Sequence, residues 1–191
     1  MNTFVINAKS LHMTEDEFFN FCQDNDFLKF ERTADKQILV MTPTGIETGS
    51  KNSEINFQLM LWNKETKLGY VFDSSSGFTL PNSAVRSPDA SWISKERYEA
   101  LDKNEVKKFA HICPDFVIEL MSETDVLKDL KLKMQEWIDN GCKLAWLIDR
   151  KEEQIYIYKP AHEALIIEGF EANLSGEDVL KGFSLDLKRL R

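Results

Sequence analysis

The segment CPDFVIELMSETDVLKDLKLKMQEWIDNGCKLAWLID, residues 113 to 149, constrains the fold more than any other part of the chain. DFVIEL is a short run of strand formers. In VLKDLKLKMQEWIDNG, Leu127, Leu130, Met134, Trp137 and Ile138 fall on one stripe at helical spacing, and Gly141 follows as a C-terminal stop. KLAWLID is apolar without alternation, the pattern of a strand covered on both faces. Strand, helix and apolar strand in succession predict a right-handed βαβ crossover whose strands are parallel and central. The expected fold class is therefore α/β, a mixed sheet with helices packed on its faces.

The flanking segments fit around that unit. Thr14 with Glu17 three positions on is a capping-box pattern that opens a helix over residues 14 to 25. FLKFERT and KQILVMTP read as a hairpin, PTGIETGSKN (43 to 52) as a loop, and SEINFQLMLWNKE (53 to 65) as a second helix with Ile55, Leu59 and Trp62 inward. GYVFD, GFTLP and SPDASWIS suggest an antiparallel meander, and residues 94 to 110 an exposed helix. EEQIYIYKP and ALIIEGF suggest outer strands before a short tail.

No repeat or linker divides the chain, and 191 residues at 42% hydrophobic suit one domain with a sizeable core. We divide this domain, 1-191, into an N-terminal helix and hairpin (1-40), a core (41-150) and outer strands with a tail (151-191). The longest apolar runs fall far short of the roughly 20 residues a membrane span needs, and no basic stretch leads into an apolar leader, so a cytoplasmic protein without a membrane partner is expected. Cys22, Cys113 and Cys142 are odd in number and lack CxxC spacing, which favours buried thiols over disulfides or thiolate zinc. His12, His111 and His162 show no metal-ligand spacing either. GxSxG and GxxxxGK motifs do not occur, which sets aside the common acyl hydrolases and P-loop NTPases. A net charge of -8 argues against a non-specific nucleic-acid coat, yet a site of carboxylates and divalent cation remains compatible with it.

Glu119 stands out within its strand. Side chains alternate, so Val117, Glu119 and Met121 share the face that the following helix covers. A covered carboxylate must be protonated, paired or bound to a cation, so Glu119 is either a structural ion pair or a metal ligand. Asp89 follows Pro88 at a strand start, where it could serve as a turn residue or as the second acid of a cation clamp. Lys131 and Lys133 flank the apolar stripe of the helix, and either could carry its ammonium over the core to the sheet end or out to solvent.

Together, Asp89 after proline, Glu119 in an apolar strand before Ser122, and KMQEWIDNGCKLAWLID resemble the bacterial Uma-two family of endonucleases, in the PD-(D/E)XK superfamily. The likeness runs from about MTPTG to LSGEDVLKGFSLDL and implies a restriction-endonuclease-like fold. The superfamily's lysine two positions after the acid is replaced here by Met121. In the family that lysine moves to the next helix, four residues before an aromatic and eight before a glycine, which designates Lys133, with Lys131 as the fallback. A histidine before the first core helix aligns with Asn52, leaving Glu47 and Glu54 as candidates for a third acid. By this resemblance Asp89, Glu119 and the Leu120 carbonyl would hold Mg²⁺ or Mn²⁺, and Lys133 would orient water for phosphodiester hydrolysis, with DNA as the expected nucleic-acid partner and a homodimer as the expected assembly. The rival expectation is a silent nuclease-like scaffold that binds nucleic acid or regulates.

Overall fold

In the computed structural model, which describes residues 3–191, the chain forms two main sheets and four α-helices. Strand β1 (Thr3–Asn7) and helix α1 (Glu15–Asp24) precede the hairpin β2 (Lys29–Arg32) and β3 (Gln37–Met41). Helix α2 (Ile46–Thr66) leads to β4 (Gly69–Asp73), β5 (Phe78–Thr79), β6 (Val85–Arg86) and β7 (Ala90–Ser94). After α3 (Lys95–Glu99) come β8 (Phe116–Leu120), α4 (Leu127–Asp139), β9 (Leu144–Asp149), β10 (Gln154–Tyr158) and β11 (Leu165–Glu168). A ribbon of β12 (Asn173–Ser175) and β13 (Ser184–Asp186) closes the chain.

The main sheet has the order β11-β10-β9-β8-β7-β4, and its parallel pair is β8 with β9, joined by α4 as the βαβ pattern predicts. Gly141 at φ +105° ends the crossover helix in a conformation that glycine adopts without strain. On one face Met134, Trp137 and Ile138 of α4 bury against Val117, Ala145 and Leu147. On the other, Ile55, Leu59 and Trp62 of α2 cover Phe116, Ile118 and Trp146, with Phe183 and Leu185 of the tail completing the layer. Phe116 and Trp146 meet edge to face at 4.7 Å. Emptying a site such as that of Trp146 would cost about 3–5 kcal/mol, so this packing fixes where β8 points its acid.

The second sheet, β1-β3-β2-β6-β5, puts Phe30, Ile38 and Val85 against Phe18 and Cys22 of α1. The expected capping box at Thr14 is present, with Glu17 accepting from the Thr14 backbone N–H at 2.8 Å. All three cysteines are buried free thiols. Among the described residues no helix is long and apolar enough to cross a membrane.

Four sequence expectations need correction. Residues 43 to 52 are not all loop, because α2 begins at Ile46; its first turns bury only Thr48 and so carry no apolar stripe to read. The expected helix over 94 to 110 reduces to α3 and a 3₁₀ turn at Glu105–Lys107, since Asp102 caps the Asn104 N–H at 2.7 Å and diverts the backbone. The meander is broken: β4 pairs directly with β7, and β5 with β6 leave to join β2 in the second sheet. Of the two segments expected as outer strands, β11 lies at a sheet edge and β10 does not, because β10 is paired on both sides. Strand β1, with all five residues exposed, has no counterpart in the sequence reading.

Candidate active site

The excursion through β5 and β6 brings the two sheets together, and a cleft of about 1000 Å³ opens where they meet α4. Asp89, Glu119, Leu120, Asn52 and Lys133 all line it. Each reaches it by local necessity. Pro88 precedes β7 and leaves Asp89 at its entrance. Alternation along β8 turns Phe116 and Ile118 to the α2 face and Val117 and Glu119 to the α4 face, as predicted.

Asp89 is held from two directions. Its Oδ2 accepts the Leu120 backbone N–H at 2.8 Å and its Oδ1 the Asn52 amide at 3.1 Å, while Asn56 donates to its carbonyl at 3.0 Å. Burial pushes its carboxyl above the ordinary aspartate range, against the pull of the Leu120 N–H. Glu119 is 5% exposed and accepts the Trp137 indole N–H at 3.1 Å. Burial lifts its carboxyl to about 7; Lys133 works against the rise, and the negative charges of Asp89 and Glu31 add to it.

Of the two lysines, Lys133 is the one that contacts the acids. Its Nζ lies 2.8 Å from Glu119 Oε1 and 3.0 Å from Glu31 Oε1. Burial alone would depress its pKa, but the two carboxylates win and raise it, so it is an ammonium at neutral pH. Lys131 instead lies 4.2 Å over the Tyr156 ring, away from the acids. Glu47 and Glu54 do not join the site: Glu47 pairs with Arg150 and is largely exposed, and Glu54 accepts from Gln58 and pairs with Arg189 at 3.3 Å.

The sequence reading missed Glu31. It is 2% exposed on β2, accepts the Ser87 N–H at 3.0 Å and pairs with Arg86 at 3.1 Å. Burial would raise its pKa, but Lys133 and Arg86 hold it at about 2. Its strand is KFER, where alternation sets Glu31 on the same face as Lys29 and Thr33, a polar pattern that reads as solvated and gives no local signal of burial.

The donor set suits a hard cation. Asp89 and Glu119 line the same cleft, and burial is the main cause that raises both carboxyls. The buried Asn52 Oδ1, beside Asp89, has no hydrogen-bond partner. Oxygen donors of this kind fit Mg²⁺ or Mn²⁺. Among the described residues no three His, Cys, Asp or Glu groups converge to cage a metal.

Residues 15–188 match the model of the Uma2 family, described as "Putative restriction endonuclease". The chain belongs to the Uma2 family. A solved structure from Anabaena variabilis ATCC 29413, titled as a putative nuclease belonging to DUF820, is similar to this Uma2 chain over 93% of its length and 97% of that chain. The TM-score is 0.74 at 21% identity, so the two share a fold. No curated protein matches the chain.

Proposed function

We propose that this chain is a Mg²⁺-dependent endonuclease, with Mn²⁺ able to substitute, that hydrolyses phosphodiester bonds in DNA. The observation that carries the reading is the 2.8 Å approach of Lys133 to Glu119, because it supplies from α4 the ammonium that Met121 cannot supply from the strand. Asp89 and Glu119 would hold the cation, with the Leu120 carbonyl and Asn52 Oδ1 as further oxygens. Bound there, the cation would polarise the phosphate and lower the pKa of a bound water.

The chain's own groups divide the remaining work. Leu120 N–H and the Asn52 amide fix the Asp89 carboxylate before any ligand arrives, so no reorientation is required. Trp137 fixes Glu119 in the same way. Lys133 is charged, so it serves by offsetting negative charge on the phosphate rather than by accepting a proton. DNA as substrate is supported by the family description. A homodimer able to cut both strands would use the exposed edge of β11, where Leu165 and Ile166 are open.

A second reading has one specific support: Lys133 and Glu119 already neutralise each other, as they would in a silent scaffold that binds nucleic acid. Cleavage of supercoiled and single-stranded DNA with Mg²⁺ or Mn²⁺, wild type beside Asp89→Ala and Lys133→Ala, separates the two. The nuclease requires wild-type cleavage and at least a roughly 100-fold loss in each variant. No wild-type cleavage, or equal cleavage by all three, leaves the scaffold.

A further inference from the structure

Glu31 belongs to the second sheet, yet its carboxylate ends inside the site built by the first. Its Oε1 accepts from Lys133 Nζ and from the Ser87 N–H, both at 3.0 Å, and its Oε2 faces Arg86 Nη1 at 3.1 Å. Arg86 in turn sets its Nε 2.6 Å from Glu136 of α4, so the pair that holds Glu31 is itself tied to the helix carrying Lys133. Both Glu31 oxygens are thus committed to cationic or N–H donors, which makes a third cation on them unfavourable. Lys133 is the shared member: it has one carboxylate partner from each sheet.

A divalent cation taken up by Glu119 would repel the ammonium that now sits on the same oxygen, and Glu31 is the other carboxylate that Lys133 already contacts. We propose that Glu31 is the positioning residue for Lys133: it retains the ammonium beside the site when Glu119 turns to a cation, and so makes the site depend on the N-terminal sheet. The inference rests on the Mg²⁺ reading for its functional meaning. Glu31 acts through the lysine and does not bind the metal. Without its charge, Lys133 stays on Glu119 and competes with the cation.

Two measurements on the full chain test this. In the metal-free protein, lysine-selective NMR should reveal a slowly exchanging Lys133 ammonium, identified by its loss in Lys133→Met. Glu31→Gln should shift or abolish that signal, and Glu31→Asp should restore it in part. Calorimetric Mn²⁺ titration should then find Glu31→Gln weakening affinity about tenfold with Lys133 in place but less than about threefold in the Lys133→Met background. Equal weakening in both backgrounds would make Glu31 a ligand or a distant charge and overturn the proposal, as would an unchanged signal with unchanged affinity. If the wild type binds no Mn²⁺ at all, the Mg²⁺ reading falls, and the NMR comparison still decides whether Glu31 anchors the lysine.

Discussion

Lys133 Nζ stands 2.8 Å from Glu119 Oε1 on the central strand and 3.0 Å from Glu31 Oε1 on the second sheet, so one ammonium neutralises acids from both sheets. Removing one partner of a buried ion pair leaves the other charge uncompensated. Lys133→Met should therefore lower unfolding free energy by about 3 kcal/mol, measured by urea denaturation at neutral pH. Adding Glu119→Gln to that variant should recover part of the loss. A single variant as stable as the wild type would mean that water already screens these acids.

A cation held by Asp89 and Glu119, which line the same cleft, has a thermal consequence. A cation that binds only the folded chain adds about 2.7 kcal/mol at 100-fold excess over its Kd, or roughly 5–10 °C in Tm for a domain of this size. Calorimetry with added Mn²⁺ should register that rise in the wild type and none in Asp89→Asn. An equal rise in both would put the cation elsewhere.

Asn52 offers a sharper test because its amide donates to Asp89 while its Oδ1 is buried without a partner. Asn52→Asp exchanges that donor for a third negative charge beside Asp89. In chelator the variant should lose about 1–3 kcal/mol, since a buried carboxylate loses a hydrogen bond and gains a like-charged neighbour. With Mn²⁺ the order should reverse, with affinity above that of the wild type in the same titration. Weaker binding by Asn52→Asp would remove position 52 from the cation's surroundings.

These residues also mark how much the sequence discloses. Glu119 was legible because alternation along an apolar strand with a helix after it leaves only one face for the acid. Lys133 was legible only as one of two edge lysines until the family resemblance chose it, and the structure turns Lys131 onto Tyr156. Glu31 lies in the charged strand KFER, where alternation gives no reason to expect burial, and nothing local says that β2 faces α4. That relation arises from the two-residue strands β5 and β6, too short to leave a periodic signal, which carry Arg86 and Ser87 across to the second sheet. Glu47 and Glu54 failed because helix position alone does not reveal that Arg150 and Arg189 wait on the other side.

Away from the cleft, His111 predicts a pH dependence of its own. Its Nε2 lies 2.5 Å from Glu15 on α1 and its Nδ1 3.1 Å from Glu105 in the 3₁₀ turn, so the protonated ring ties the first helix to the segment before β8. The Glu15 hydrogen bond is the main cause that raises its pKa above the usual 6.5, with burial opposing. For a group raised on folding, the stabilisation is complete below the unfolded pKa and is lost as pH climbs through the folded one. The ring is half exposed, so the pair is worth no more than a surface salt bridge and about 1–3 °C in Tm. Wild type should exceed His111→Gln by that margin at pH 6 and match it at pH 9 in a thermal scan. A margin that stays the same at both pH values would mean that the histidine holds α1 by packing, and that its charge contributes nothing.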